Sequence, residues 1–105
     1  MRFFSAAEFT STEAWDALDI AVLDGRSTVR LHWTDRPYRW HVNDGVEVFA
    51  VLDGIVDMRY RDADGSEQVR RLGVGELCMA EEGDEHVAEP VGAARILVVE
   101  REGSV

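Results

Sequence analysis

Short stretches of alternating hydrophobic and polar residues follow one another along this 105-residue chain. One stretch begins at Leu18 and ends at Asp24-Gly25, and a second runs from Val29 to Trp33. Successive side chains of an extended strand point to opposite sides, so this alternation predicts strands with one buried face. An aspartate–glycine pair between two such stretches favours a tight hairpin turn.

The pattern continues towards the C-terminus. Glycine-containing turns separate further predicted strands, which cover 38–52 (with a bulge at Asp44-Gly45), 55–61, 66–72, 76–80 and 94–100. Eight or nine short strands without alternating helices indicate an all-β sandwich or barrel. The strands over 46–52 and 94–99 are hydrophobic on both faces, so we expect each to lie between two layers or beneath a subunit interface. Residues 1–14 allow a short helix, a loop or an edge strand.

Charge excludes two classes of partner. The 11 basic residues are all arginine and the acidic residues number 21, which gives a formal net charge of −10. Nucleic-acid binding needs a basic patch, and anionic membrane surfaces attract basic segments. We therefore expect neither a nucleic-acid nor a membrane partner.

Length and cysteine content bound the organisation and the compartment. A chain of this length is expected to form one domain. Cys78 is the only cysteine, so an intrachain disulfide is impossible and a reducing compartment is the default. The N-terminus lacks the apolar core of a signal peptide, and no apolar run is long enough to span a bilayer. These features predict a cytoplasmic protein.

Three polar residues precede the hydrophobic part of the strand predicted over 38–52. In a continuous strand His41, Asn43 and Glu47 would share one face with Phe49 and Val51. A polar group that points into an apolar interior costs free energy unless it finds a partner. A metal ion or a polar ligand is the natural candidate for that partner.

The spacing of these residues resembles that of the small single-domain cupins. The first cupin motif, G-x5-H-x-H-x3-4-E-x6-G, is matched by His41-x-Asn43-x3-Glu47-x6-Gly54. The second motif, G-x5-P-x-G-x2-H-x3-N, corresponds to Gly75-x5-Glu81-x-Gly83-x2-His86-x3-Pro90. Both glycines and the histidine are kept, whereas Glu81 replaces the usual proline and Pro90 the usual asparagine. The resemblance covers 16–101 and implies a double-stranded antiparallel β-helix, or jelly-roll barrel, that follows an N-terminal arm over 1–15 in a single domain.

The resemblance also implies a site inside the barrel. His41, Glu47 and His86 are carried over as metal ligands, with Glu47 as a possible proton acceptor. Two imidazoles and a carboxylate suit Fe, Zn, Mn or Ni with open coordination positions. Asn43 stands where the family has a second histidine, and a neutral amide oxygen is a weaker ligand, so the metal is expected to bind less tightly or to be absent. Asn43, Phe49 and Trp40 are expected to line the ligand pocket.

Structural roles remain open for the same residues. Glu47 would also be satisfied by an ion pair with Arg39, and Asn43 would suit a turn. Outside the motifs, His32 is expected at the surface and Cys78 as an inert buried thiol.

Three functions therefore stay in view. The first is a metal-binding cupin that acts on or senses a small molecule; an enzyme with this ligand set would be an oxidoreductase or an isomerase. The second is a metal-free cupin that binds a sugar-like ligand, and the third is a structural module with a vestigial pocket. Related small cupins imply a homodimer.

Overall fold

The chain is all-β, and the computed structural model describes its residues 1–104. A 3-10 helix at Ala6–Glu8 is the one helical element within that part of the chain. The nine strands there are β1 (Asp16–Leu23), β2 (Ser27–Thr34), β3 (His41–Val42), β4 (Glu47–Asp53), β5 (Val56–Arg61), β6 (Glu67–Leu72), β7 (Leu77–Ala80), β8 (Glu85–Pro90) and β9 (Ala94–Arg101).

The strands form two antiparallel sheets. One has five strands in the order β1-β2-β9-β4-β7, and the other has four in the order β3-β8-β5-β6. Consecutive strands repeatedly change sheet, as in a jelly-roll barrel. The predicted all-β antiparallel barrel is confirmed. No helix in the described part of the chain is long and apolar enough to cross a membrane.

The prediction of one strand over 38–52 is wrong in one respect, because this segment forms two strands that lie in different sheets. β3 pairs with β8, whereas β4 pairs with β9 and β7. Between them, the backbone N–H of Asn43 donates to the carbonyl oxygen of Asp84 (2.8 Å), and that of Gly83 donates to the carbonyl oxygen of Asn43 (2.9 Å). These bonds tie Asn43 to the turn before β8, so the chain crosses to the other sheet at Asp44-Gly45. His41 and Glu47 therefore lie on different sheets rather than on one strand face.

The core lies between the two sheets, where the inward residues of each sheet meet. Val51, Val56 and Ile96 have no exposed surface. Burying a side chain of this size stabilises the fold by roughly 1.5–3 kcal/mol. The residues packed with them are Phe49, Met58, Leu72, Ala88, Ala94 and Val98.

Arg95 fixes the N-terminal segment against the barrel. Its guanidinium donates to the carbonyl oxygen of Phe9 (2.7 Å), to Oγ1 of Thr10 (3.0 Å) and to Oδ2 of Asp53 (2.6 Å). The Arg95 side chain is only 15% exposed. A nearly buried cation with three acceptors is a strong anchor, so the residues before β1 have a defined path.

Candidate metal centre

Three strands from both sheets bring His41, Glu47 and His86 together. One ligand atom from each residue lies within 4.8 Å of the other two. His41 and His86 are register partners on β3 and β8, and their ring centroids are 4.5 Å apart. Nε2 of His86 lies 3.5 Å from Oε1 of Glu47. The structure thus joins the three residues that the resemblance nominated, from widely separated parts of the chain.

His41 is oriented by the backbone just before β3. Its Nδ1 lies 2.9 Å from the carbonyl oxygen of Arg39. A carbonyl oxygen can only accept, so Nδ1 carries the proton and the lone pair of Nε2 is free. A histidine that donates one ring N–H to a carbonyl and offers its other nitrogen is the usual form of a metal ligand.

Asn43 lies inside the cluster. Its Nδ2 donates to the carbonyl oxygen of Gly45 (3.2 Å) and to Oε1 of Glu47 (3.4 Å), which leaves Oδ1 only 2.6 Å from Nε2 of His86. The side chain is 6% exposed. Asn43 therefore contacts two of the nominated ligands as well as the carbonyl oxygen of the turn.

His86 has two possible proton positions. With its proton on Nε2 it donates to Oδ1 of Asn43, and with its proton on Nδ1 it faces the sulfur of Met58 at 3.4 Å. Burial lowers the pKa of His86; Glu47 opposes this effect and His41 adds to it. The ring is therefore neutral at neutral pH, as a metal ligand must be. Two imidazoles and a carboxylate fit a divalent transition metal, and coordination through Nε2 of His86 requires its proton on Nδ1.

The ion pair between Glu47 and Arg39 does not form. Arg39 instead lies over the ring of Tyr38, at 5.1 Å from its centroid. Glu47 contacts His86 and Asn43, as described above, and a third group from β9.

That third group is Glu100, which the sequence interpretation missed. Glu100 is the register partner of Glu47 across β4 and β9. Burial and, next, a hydrogen bond to Glu47 raise the pKa of Glu100 to about 8. This raised pKa favours a proton held between the two neighbouring carboxyl groups. In the strand predicted over 94–100, Glu100 lies on the same face as Ile96 and Val98. This alternation could have indicated that Glu100 points into the barrel.

A cavity of about 210 Å³ adjoins the cluster. Of the three residues expected to line the pocket, Phe49 lines this cavity, whereas Asn43 and Trp40 do not. Trp40 is 38% exposed and its ring lies 5.1 Å from Cζ of Arg61. Trp15 and Tyr38 supply the aromatic wall instead. His32 also lines the cavity, so the expectation of a surface position was wrong. Burial lowers the pKa of His32, and its Nδ1 donates to the carbonyl oxygen of Trp15 at 3.1 Å.

A second cavity, of about 810 Å³, also reaches His86. Met58, Leu72 and Cys78 contribute to its wall. Burial raises the pKa of the Cys78 thiol to about 11. A thiol of this kind is a poor nucleophile at neutral pH, in agreement with the inert role expected for it.

Solved structures with similar folds are informative about the barrel. A cupin-2 domain protein from Shewanella frigidimarina superposes with a TM-score of 0.76 at 25% identity, over 88% of this chain and 85% of that one. A cupin superfamily protein from Desulfitobacterium hafniense superposes with a TM-score of 0.72 at 15% identity, over 91% and 85%. The chain has the cupin fold.

A metal-containing enzyme also has a fold similar to that of this chain. Hydroquinone 1,2-dioxygenase PnpCD, solved in complex with Fe³⁺, has a TM-score of 0.75 and 19% identity over 88% of this chain and 29% of that one. At this identity the likeness shows the fold alone. No protein-family model and no curated protein sequence matches the chain.

Proposed function

We propose that this cupin binds a divalent transition metal through His41, Glu47 and His86 and holds a small molecule in the adjoining cavity. The observation that carries the proposal is the convergence of three ligand atoms within 4.8 Å. The free Nε2 of His41 and the neutral ring of His86 support it. So does the resemblance in fold to an enzyme solved with Fe³⁺. Fe, Zn, Mn and Ni all suit the ligand set.

The residues around the cluster are suited to proton transfer. A bound metal would supply a Lewis acid or an oxygen-activating centre. Glu47 would serve as a proton acceptor, and Glu100, whose pKa is raised to about 8, is its register partner. Asn43 keeps its amide oxygen on the cluster through its bond to Gly45. As an enzyme the cupin would be an oxidoreductase or an isomerase.

One observation favours a second candidate, a metal-free cupin that binds a sugar-like ligand. The 2.6 Å bond between Asn43 and His86 already occupies the nitrogen that a metal needs. No buried side-chain nitrogen or oxygen in the described residues lacks a hydrogen-bond partner. The fully buried polar atoms of the cluster are therefore satisfied without a cation, and its groups would also hydrogen-bond hydroxyls.

Elemental analysis of the tag-free protein separates the two candidates. The wild type, His86→Ala and the control His32→Gln are reconstituted with Fe²⁺, Mn²⁺, Zn²⁺ or Ni²⁺ and desalted. Near-stoichiometric metal in the wild type and His32→Gln, and its loss in His86→Ala, supports the metal site. If the wild type retains no metal, the second candidate gains support. A rise in melting temperature with sugars would then test it.

A homodimer, a single domain and a cytoplasmic location are also part of the proposal. Val48 pairs with Met79 and Ala50 with Leu77 on the outer face of β4 and β7. Leu77 and Met79 are 61% and 54% exposed, an apolar surface of the kind that marks an interface. The barrel would span 16–101 and the arm 1–15, since β1 begins at Asp16 and β9 ends at Arg101. Light scattering of the wild type and Leu77→Arg tests the dimer; a monomeric wild type would refute it.

A further inference from the structure

Trp15 has an unusual backbone conformation at the edge of the pocket. Its φ is +60°, in the left-handed region that residues with a Cβ rarely enter. Its carbonyl oxygen accepts a hydrogen bond from His32, and its indole Nε1 donates to the carbonyl oxygen of Arg36 at 3.0 Å. These bonds hold both the backbone and the ring. Backbone strain of this kind persists where surrounding structure enforces it, often at ligand sites.

Trp15 is connected to the candidate metal centre through a series of rings. Its ring packs edge-on against Tyr38, with centroids 5.4 Å apart, and Tyr38 packs edge-on against His41 at 5.2 Å. His41 in turn lies against His86. Because each ring packs against the next, Trp15 and His41 belong to one continuous wall of rings.

The volume of the pocket limits its occupant. An apolar cavity of about 150 Å³ accommodates one benzene ring. The 210 Å³ of this cavity therefore match one ring with a few substituents more closely than two fused rings. Trp15, Tyr38 and Phe49 make the wall aromatic, and a planar ring gains more from edge or offset contacts with such a wall than a puckered one does.

The polar groups of the pocket set the substituents. His41, Glu47, His86 and Glu100 all line the same cavity as the three aromatic residues. As a group, these residues both donate and accept hydrogen bonds. A polar site of this kind disfavours a ligand that leaves its buried groups unpaired. A hydroxyl on the ring is a matching substituent because it also donates and accepts.

We infer that Trp15 is the size-determining wall of the pocket and that the ligand is a single planar ring with hydroxyl-type substituents. The inference rests on the small-molecule pocket of the proposed function and does not need the metal. Replacing the indole by a methyl group removes the wall and leaves room for a second ring.

Binding of three probes to the full chain tests the inference. Phenol, 2-naphthol and cyclohexanol are titrated by ligand-detected NMR into the wild type, Trp15→Ala, Trp15→Phe and the control Trp40→Ala. We expect the wild type and Trp40→Ala to prefer phenol over both other probes by about tenfold. Trp15→Ala should bind 2-naphthol about tenfold more tightly than the wild type does. If Trp15→Ala does not fold, Trp15→Phe should still reduce the preference for phenol over 2-naphthol.

Several results would overturn the inference. The wild type would bind no phenol, or it would bind phenol and cyclohexanol with equal affinity. Alternatively, the preference for phenol over 2-naphthol would be the same in both Trp15 variants as in the wild type. Metal content measured on the same wild-type sample separates this failure from that of the proposed function. Phenol binding without metal supports the inference and refutes the metal site, whereas metal without phenol binding overturns the inference alone.

Discussion

Gly54 closes the first cupin motif, and its replacement by alanine is expected to be costly. It has a φ of +83° in the turn between β4 and β5. A Cβ at this position would lie 2.5 Å from the carbonyl oxygen of Ala93 and 3.0 Å from Cα of Ala94. Both of these atoms belong to the backbone, so neither can move aside as a flexible side chain would. Ala94 begins β9, the strand that carries Glu100.

The expected cost has two parts. Placing alanine in the left-handed region costs about 1–2 kcal/mol. Pushing β9 away from the turn adds about 1–3 kcal/mol, the usual range for overpacking. The sum is about 2–5 kcal/mol. For a domain of this size each kcal/mol lowers the melting temperature by roughly 4–8 °C.

Gly83 is the matched control for this prediction. It belongs to the second motif and has a φ of +94°, but nothing lies within 4 Å of the Cβ that alanine would add. Gly83→Ala should therefore show only the backbone cost. Urea unfolding of the two variants and the wild type, followed by circular dichroism, measures the difference. Equal losses in the two variants would show that the close approach to Ala93 does not matter.

Three further predictions concern the cluster, the arm and the pocket. Asn43→His supplies a second imidazole beside His86, so metal affinity measured by calorimetry should rise at least about tenfold; no rise would place residue 43 outside the ligand set. Arg95→Met removes the three hydrogen bonds that Arg95 donates. Limited proteolysis should therefore cut the N-terminal arm faster in this variant than in the control Arg26→Met. Equal cleavage rates would contradict the role of Arg95 as an anchor of the arm. Because burial lowers the pKa of His32 below 6.5, its contribution to stability is complete above pH 6.5 and is lost as the pH falls through the lower folded-state pKa. Urea unfolding from pH 7 to 5 should show a weaker pH dependence in His32→Gln, and an unchanged dependence would show that His32 is not held neutral.

Much of the fold could be predicted because the relevant information is local. The alternation before and after Asp24-Gly25 predicts a hairpin, and both residues indeed have positive φ, 53° and 67°. Such angles are those of the turn that Asp-Gly favours. For the same reason, parity placed Ile96 and Val98 together on one face of β9, although both faces of that strand are hydrophobic. Turn chemistry and a period of two depend only on neighbours in the chain.

The sequence by itself determined most of the strands, the shared faces of those that alternate and, through motif spacing, three residues of the candidate site. Only the tertiary structure decided that His41 and Glu47 approach from opposite sheets, that Glu100 lies beside Glu47, and that Trp15 rather than Trp40 borders the pocket. The alternation of hydrophobic and polar residues indicates which face of a strand each side chain is on, but it does not indicate which strand lies opposite. Neighbour relations between distant strands follow from packing of the whole barrel, so residues outside a motif acquire their roles only there.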